Sequence, residues 1–137
     1  VSPERKGGAM AELTFVDKVA ARAGVPPEQA GPLTEAVLRT LTERLSGGEA
    51  AALAPHLAAE LSPLLVKAAE PPEAFGYDEF LRRVAERAGT DRPGAERGVR
   101  AVLQTMHRVV GHREFEDALS QLPADLRALA QPLPHGP

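Results

Sequence analysis

Apolar residues recur along this chain at the spacing of amphipathic helices. Phe15, Val16, Val19, Ala20 and Ala23 are separated by steps of one, three or four, which lays them on one stripe of a short helix, and Phe80, Leu81, Val84, Ala85 and Ala88 repeat the pattern. Gly24 and Gly89 stand where a left-handed C-terminal cap ends such a helix. Pro26-Pro27 and Arg92-Pro93 then open a longer helix, because a proline in the first turn gives up only an amide that has no intrahelical partner. In the first half that helix carries Ala30, Leu33, Val37, Leu41 and Leu45 at steps of three or four. Ser46 stands three residues before Glu49, a capping-box pattern that starts a third helix with Ala50, Leu53 and Leu57. Gly111 and Glu114 hold those places in the second half, so the cap there is weaker. Pro123 opens a short fourth helix, Ala124 to Ala130. The first half has Ala58 at that place and is expected to continue its third helix until Pro63 disturbs it. Apolar–polar alternation is absent and β-branched residues are sparse, which leaves no strand pattern.

The two patterns are copies. Sliding the chain by 65 positions lays Phe15 to Leu64 on Phe80 to Leu129 without a gap, so that FVDKVAARAG meets FLRRVAERAG and EAVLRTL meets RAVLQTM. The expected fold is all-α: two tandem helical units of three to four helices each, packed as one pseudo-symmetric bundle. Residues 1–11 and 131–137, rich in Gly, Pro and charge, are expected to be disordered tails. Residues 12–66 form the first unit, 67–76 a linker with Pro71-Pro72 and Gly76, and 77–130 the second unit.

Composition narrows the chemistry. The chain has 137 residues, enough for one core, and it lacks cysteine, which removes thiol nucleophiles, disulfides and zinc-thiolate sites. Its apolar runs are too short to cross a membrane and Val1 to Met10 has no signal-peptide core, so a soluble cytoplasmic protein is expected. A net charge of −3 argues against a general nucleic-acid or anionic-membrane footprint. The charge is uneven, with seven acidic and four basic residues from Glu12 to Leu64 but nine of each from Asp78 to Leu129.

The repeated F-(V/L)-x-x-V-A-x-R-A-G, the A-V-L-x-T-(L/M) run, the Glu-led third helix and the Leu-x-x-x-Leu end together resemble the bacterial family named domain of unknown function 2267, from Leu13 to Leu129. That resemblance implies a small helical protein with no established activity. Leu13 to Leu45 is also similar to the opening hairpin of the HU family of DNA-architectural proteins. There the hairpin forms the dimer body while basic β-arms hold DNA, and nothing here matches the arms, so the likeness implies a packing mode: two hairpins of one chain meeting as two subunits would.

Candidate chemistry is thin. His56, His107, His112 and His135 are scattered, and His112 with Glu116 would supply only two metal ligands on one helix face. Ser46 is accounted for as a cap, and no serine sits in a nucleophile elbow. Arg97, Arg100, Gln104 and Arg108 recur at steps of three or four as a basic stripe suited to phosphates or an acidic partner, or as a solvated face paired with Glu96 and its neighbours. Arg22 and Arg87 read as last-turn cations answering a helix C-terminus, with an ion pair as the alternative. Phe75 and Tyr77 flank Gly76 in the linker and serve either as a clasp between the units or as an exposed contact pair. No catalytic, cofactor-binding or metal-binding residue is expected. The expected function is a non-enzymatic interaction module, an adaptor or regulatory protein whose partner is another protein, with Arg97, Arg100, Arg108, Phe75 and Tyr77 as candidate contacts. The alternative is a weak nucleic-acid or nucleoid-associated binder, and the third reading is a small-molecule binder between the units; a homo-oligomer stays open.

Overall fold

A computed structural model describes residues 14–57, 61–65 and 73–130. The expected disordered tails and most of the expected linker lie outside them. Among the described residues the fold is all-α, with α1 Phe15–Ala23, α2 Pro27–Arg44, α3 Gly47–Leu53, α4 Tyr77–Ala88, α5 Arg92–Val110, α6 His112–Leu119 and α7 Ala124–Ala130. Single 3-10 turns occupy Ala54–His56 and Ser62–Leu65. None of these helices is long and apolar enough to cross a membrane.

The punctuation follows the sequence closely. Gly24 and Gly89 cap α1 and α4 with φ of 70° and 69°, a region that costs a side chain but not glycine. Pro27 opens α2 at its first position. Two N-caps escape the hydrophobic pattern. Thr14 and Asp17 exchange side-chain-to-backbone bonds of 3.0 and 3.2 Å as a full capping box, and Asp91 accepts from the Gly94 amide at 2.8 Å.

Two local expectations need correction. The third helix of the first half does not run toward Pro63 but stops at Leu53, where Pro55 enters a 3-10 turn and Leu57 turns to extended backbone. A proline has no amide to continue the ladder. At Ser46 the hydroxyl accepts from the Glu49 amide at 3.2 Å, but the Ser46 amide donates to Gln121 Oε1 at 2.9 Å, so a glutamine from the second half closes the cap. In the second half α4 begins at Tyr77, three residues ahead of the position that matches the start of α1.

Packing crosses between the halves. The short helix α1 lies on α5, the long helix of the other half, and α4 lies on α2; α2 and α5 also touch, as do α3 and α6. A helix of nine residues is marginal on its own and is stabilised by the apolar surface it covers. Phe15, Val19 and Ala23 of α1 and Phe80, Leu81 and Val84 of α4 are buried in one continuous core with Val37, Leu38, Leu41, Val99, Val102, Leu103 and Met106. Where α2 meets α5, Leu33 seats over Gly98, its own match at the 65-position offset. A Cβ at residue 98 would lie 2.5 Å from Leu33 Cδ1.

Two outcomes test this packing. Phe80 is wholly buried, so Phe80→Ala should lower stability by about 3–5 kcal/mol in urea unfolding. Gly98→Ala should destabilise by about 1–2 kcal/mol, because overpacking outweighs the helix-propensity gain. Adding Leu33→Ala should make the pair less costly than the sum of the two single variants; simple additivity would refute the close contact.

Candidate functional site

The candidate residues of the stripe do not act as one surface. On α5, Arg97 is exposed and lines a crevice with Glu28, Leu33 and Gly94. Arg100 is half-buried, and its Nε is buried with no hydrogen-bond partner. Arg108 is exposed near the C-terminal end of the same helix. Phe75 and Tyr77 are both half-buried and engaged inside the protein. The Arg83 guanidinium lies 3.9 Å from the Phe75 ring centroid and that of Arg44 5.6 Å, while the Phe80 ring is 6.2 Å away. Tyr77 donates to Glu96 Oε2 at 2.5 Å, and burial first, then that bond, push its hydroxyl up to about 12. Arg44 belongs to the first half, so Phe75 ties the halves together.

Arg22 and Arg87 do more than answer helix ends. Arg22 Nη1 donates to Thr105 Oγ1 at 2.7 Å, and Arg87 Nη1 donates to Thr40 Oγ1 at 2.8 Å. These two bonds are counterparts at the offset: each short helix reaches the long helix of the other half through the same atoms. Both threonines are fully buried and pass their own protons back one turn, Thr40 to the Ala36 carbonyl and Thr105 to the Ala101 carbonyl, each at 2.8 Å.

Beside each bond lies a cleft. The first has a volume of about 320 Å³ and is lined by Arg39, Thr42, Glu43, Leu64 and Arg87; the second, about 370 Å³, is lined by Arg22, Gln104, His107, Arg108 and Ala130. Arg39, Thr42, Glu43 and Arg87 match Gln104, His107, Arg108 and Arg22 at the offset. The decisive exchange is Glu43 for Arg108. In the first cleft Glu43 meets Arg87 fork to fork, Oε1 to Nη1 at 3.0 Å and Oε2 to Nη2 at 2.7 Å, and accepts from Arg83 Nη1 at 2.9 Å. In the second cleft an arginine stands in the glutamate's place. No carboxylate among the described residues pairs with Arg22 or Arg108. Burial, then the Arg108 charge, hold Arg22 below the usual guanidinium value.

A smaller cluster gathers around α6. His107 stacks on Phe115 with centroids 4.5 Å apart and lies 3.2 Å from His112, and His56 meets Glu114 at 2.6 Å. Among the described residues no group of three His, Asp or Glu side chains is placed to hold a metal ion.

The family described as uncharacterized conserved protein (DUF2267) has a model that matches residues 13–129, a span that takes in all seven helices and the lining of both clefts except Ala130, the last residue of α7. The chain belongs to this family. No curated protein matches it. Membership in DUF2267 agrees with the motifs repeated at Phe15 and Phe80 and leaves the activity to be argued from the clefts.

Sequence reasoning reached Arg108 as part of a stripe and Arg22 as a helix-end cation, and missed that they line one cleft. The signal lay in the 65-position alignment, which matches Arg22 with Arg87 but sets Arg108 against Glu43.

The first cleft of this DUF2267 chain gives a pH signature. Burial raises the Glu43 carboxyl, but the hydrogen bonds from Arg87 and Arg83 outweigh it and hold the group below its ordinary value of about 4.5. Glu79, bonded first to Arg82 and then to Arg83, is held at about 2. A depressed carboxyl contributes stability that is present above about pH 4.5 and lost as pH falls through its folded value. Glu49 has the opposite sign, because burial and then Asp117 and Glu114 raise it, so its protonation favours the fold. The melting temperature should therefore fall as pH drops from about 4.5 toward 2, and Glu43→Gln should flatten part of that fall. An unaltered pH profile in the variant would refute the ion-pair assignment.

Proposed function

We propose that this protein is a non-enzymatic binding module that takes an anionic ligand in the cleft between its halves, at Arg22 and Arg108. One observation carries the proposal: two guanidiniums share a cleft of about 370 Å³ with Gln104 and His107, and no carboxylate among the described residues pairs with either. Like charges brought together at a partly desolvated site repel, and an anion between them turns the repulsion into two attractions. The volume suits a small organic molecule. This is the cleft form of an interaction module, with the two halves taken as copies packed about an internal two-fold axis. The reciprocal Arg–Thr bonds, the crossed packing of α1 on α5 and α4 on α2, and the Leu33–Gly98 contact support that geometry.

The nucleic-acid alternative has less to draw on. Arg97 shares its crevice with Glu28, and Arg100 is half-buried, which leaves Arg108 as the main open cation of the stripe. Gel-shift titration at physiological salt should show no duplex DNA complex tighter than about 10⁻⁴ to 10⁻⁶ M. Nanomolar binding lost in an Arg97→Ala, Arg100→Ala, Arg108→Ala variant would favour the alternative.

The binding proposal is tested by thermal shift with phosphate, sulfate and carboxylate salts against chloride at matched ionic strength. At about ten times its dissociation constant, a bound anion should stabilise by about 1.4 kcal/mol, a melting shift of about 3–5 °C. Arg108→Gln should reduce the shift. If no oxyanion shifts the melting curve beyond chloride, the proposal fails.

A further inference from the structure

The chemical group that fills the second cleft is written in the first. We infer, resting on the binding proposal above, that the ligand presents a carboxylate, held fork to fork on Arg22 and bridged to Arg108 as the Glu43 carboxylate is held on Arg87 and bridged to Arg83. The two arginines have the same anchorage: Nη1 of each is fixed by a threonine hydroxyl, at 2.7 Å for Arg22 and 2.8 Å for Arg87. A guanidinium tethered by Nη1 to a buried partner keeps little rotational freedom, so its open edge points where the matched tether points. On Arg87 that edge carries a planar carboxylate at 3.0 and 2.7 Å.

The charges around the two sites differ in the sense this assignment needs. Glu43 accepts from two guanidiniums, Arg87 of the cleft wall and Arg83 beside it. The second cleft is lined by Arg22 and Arg108, and no carboxylate among the described residues pairs with either. Position 108 does not supply one, because Arg108 occupies the place from which Glu43 delivers its own carboxylate, and the group is assigned to a small molecule. Gln104 and His107, where the first cleft has Arg39 and Thr42, line the same cleft and differ from their counterparts in shape.

The experiment uses the full chain with sodium butyrate, which copies a glutamate side chain, sodium phosphate, and sodium chloride at equal ionic strength, read by the arginine Nε–Hε resonances and by melting temperature. Butyrate should move the Arg22 resonance saturably. Arg108→Glu, which supplies the carboxylate from within, should move the same resonance without butyrate, raise the melting temperature by about 2–5 °C, and weaken butyrate binding at least tenfold. Arg108→Gln removes the second cation without supplying an anion, and should weaken butyrate binding without the rise in melting temperature. Arg97→Gln, outside the cleft, should change neither. Saturable phosphate binding without butyrate binding overturns the carboxylate assignment and leaves the binding module standing. Saturation by neither anion overturns both. A lower melting temperature in Arg108→Glu overturns the equivalence of the two clefts, and with it the carboxylate assignment.

Discussion

Two hydrogen bonds hold the architecture in register: Arg22 to Thr105 and Arg87 to Thr40. Each joins a short helix of one half to the long helix of the other. The apolar stripes of α1 and α4 supply the larger share of free energy, since burial scales with area, but the area term alone is less directional than a hydrogen bond. Moving Thr40 or Thr105 away from its guanidinium would leave a buried acceptor and a partly desolvated cation without each other. The same bonds place the two clefts, because the arginine that fixes the helix crossing also forms a wall of the cavity beside it.

Around that shared frame the halves diverge in charge. Glu43 gathers Arg87 and Arg83 into a network that also reaches Glu73 and Glu79, and Arg83 in turn stacks on Phe75. Exposed ion pairs contribute little one by one; here several share partners at one-fifth to one-third exposure, which favours a fixed arrangement. The opposite cleft keeps the arginine and inverts the acid. One cleft thereby holds a carboxylate bonded to its arginine, and the other holds two arginines.

Much of the fold was legible in the sequence because its signals are local and periodic. Gly24, Gly89, Pro27 and the stripe through Phe15 and Phe80 mark helices from within a window of a few residues, and α7 runs from Ala124 to Ala130 as its leading proline implies. The misreadings arise where the deciding partner is distant. Gln121 closes the Ser46 cap from 75 positions away, so no local pattern at Glu49 could exclude the capping box. The reading of Arg22 as a last-turn cation holds but is incomplete for the same reason: its acceptor, Thr105, is 83 residues along the chain. The stripe through Arg97, Arg100 and Arg108 was visible as a spacing, but helical spacing does not report that Glu28 lies near one end and Arg22 beside the other.

The contact between Leu33 and Gly98 bears on how such a molecule can be assembled at all. Each residue faces its own match at the 65-position offset, so in a dimer of two identical halves this place would have to be filled by the same residue twice. Two leucines would collide there, given how near Leu33 already lies to the glycine backbone, and two glycines would leave a void at the crossing of the long helices. A knob on one side and a hole on the other is open only to halves free to differ. Joining them in one polypeptide gives that freedom, and it also makes the two halves non-interchangeable: neither half, doubled, reproduces the centre of the whole.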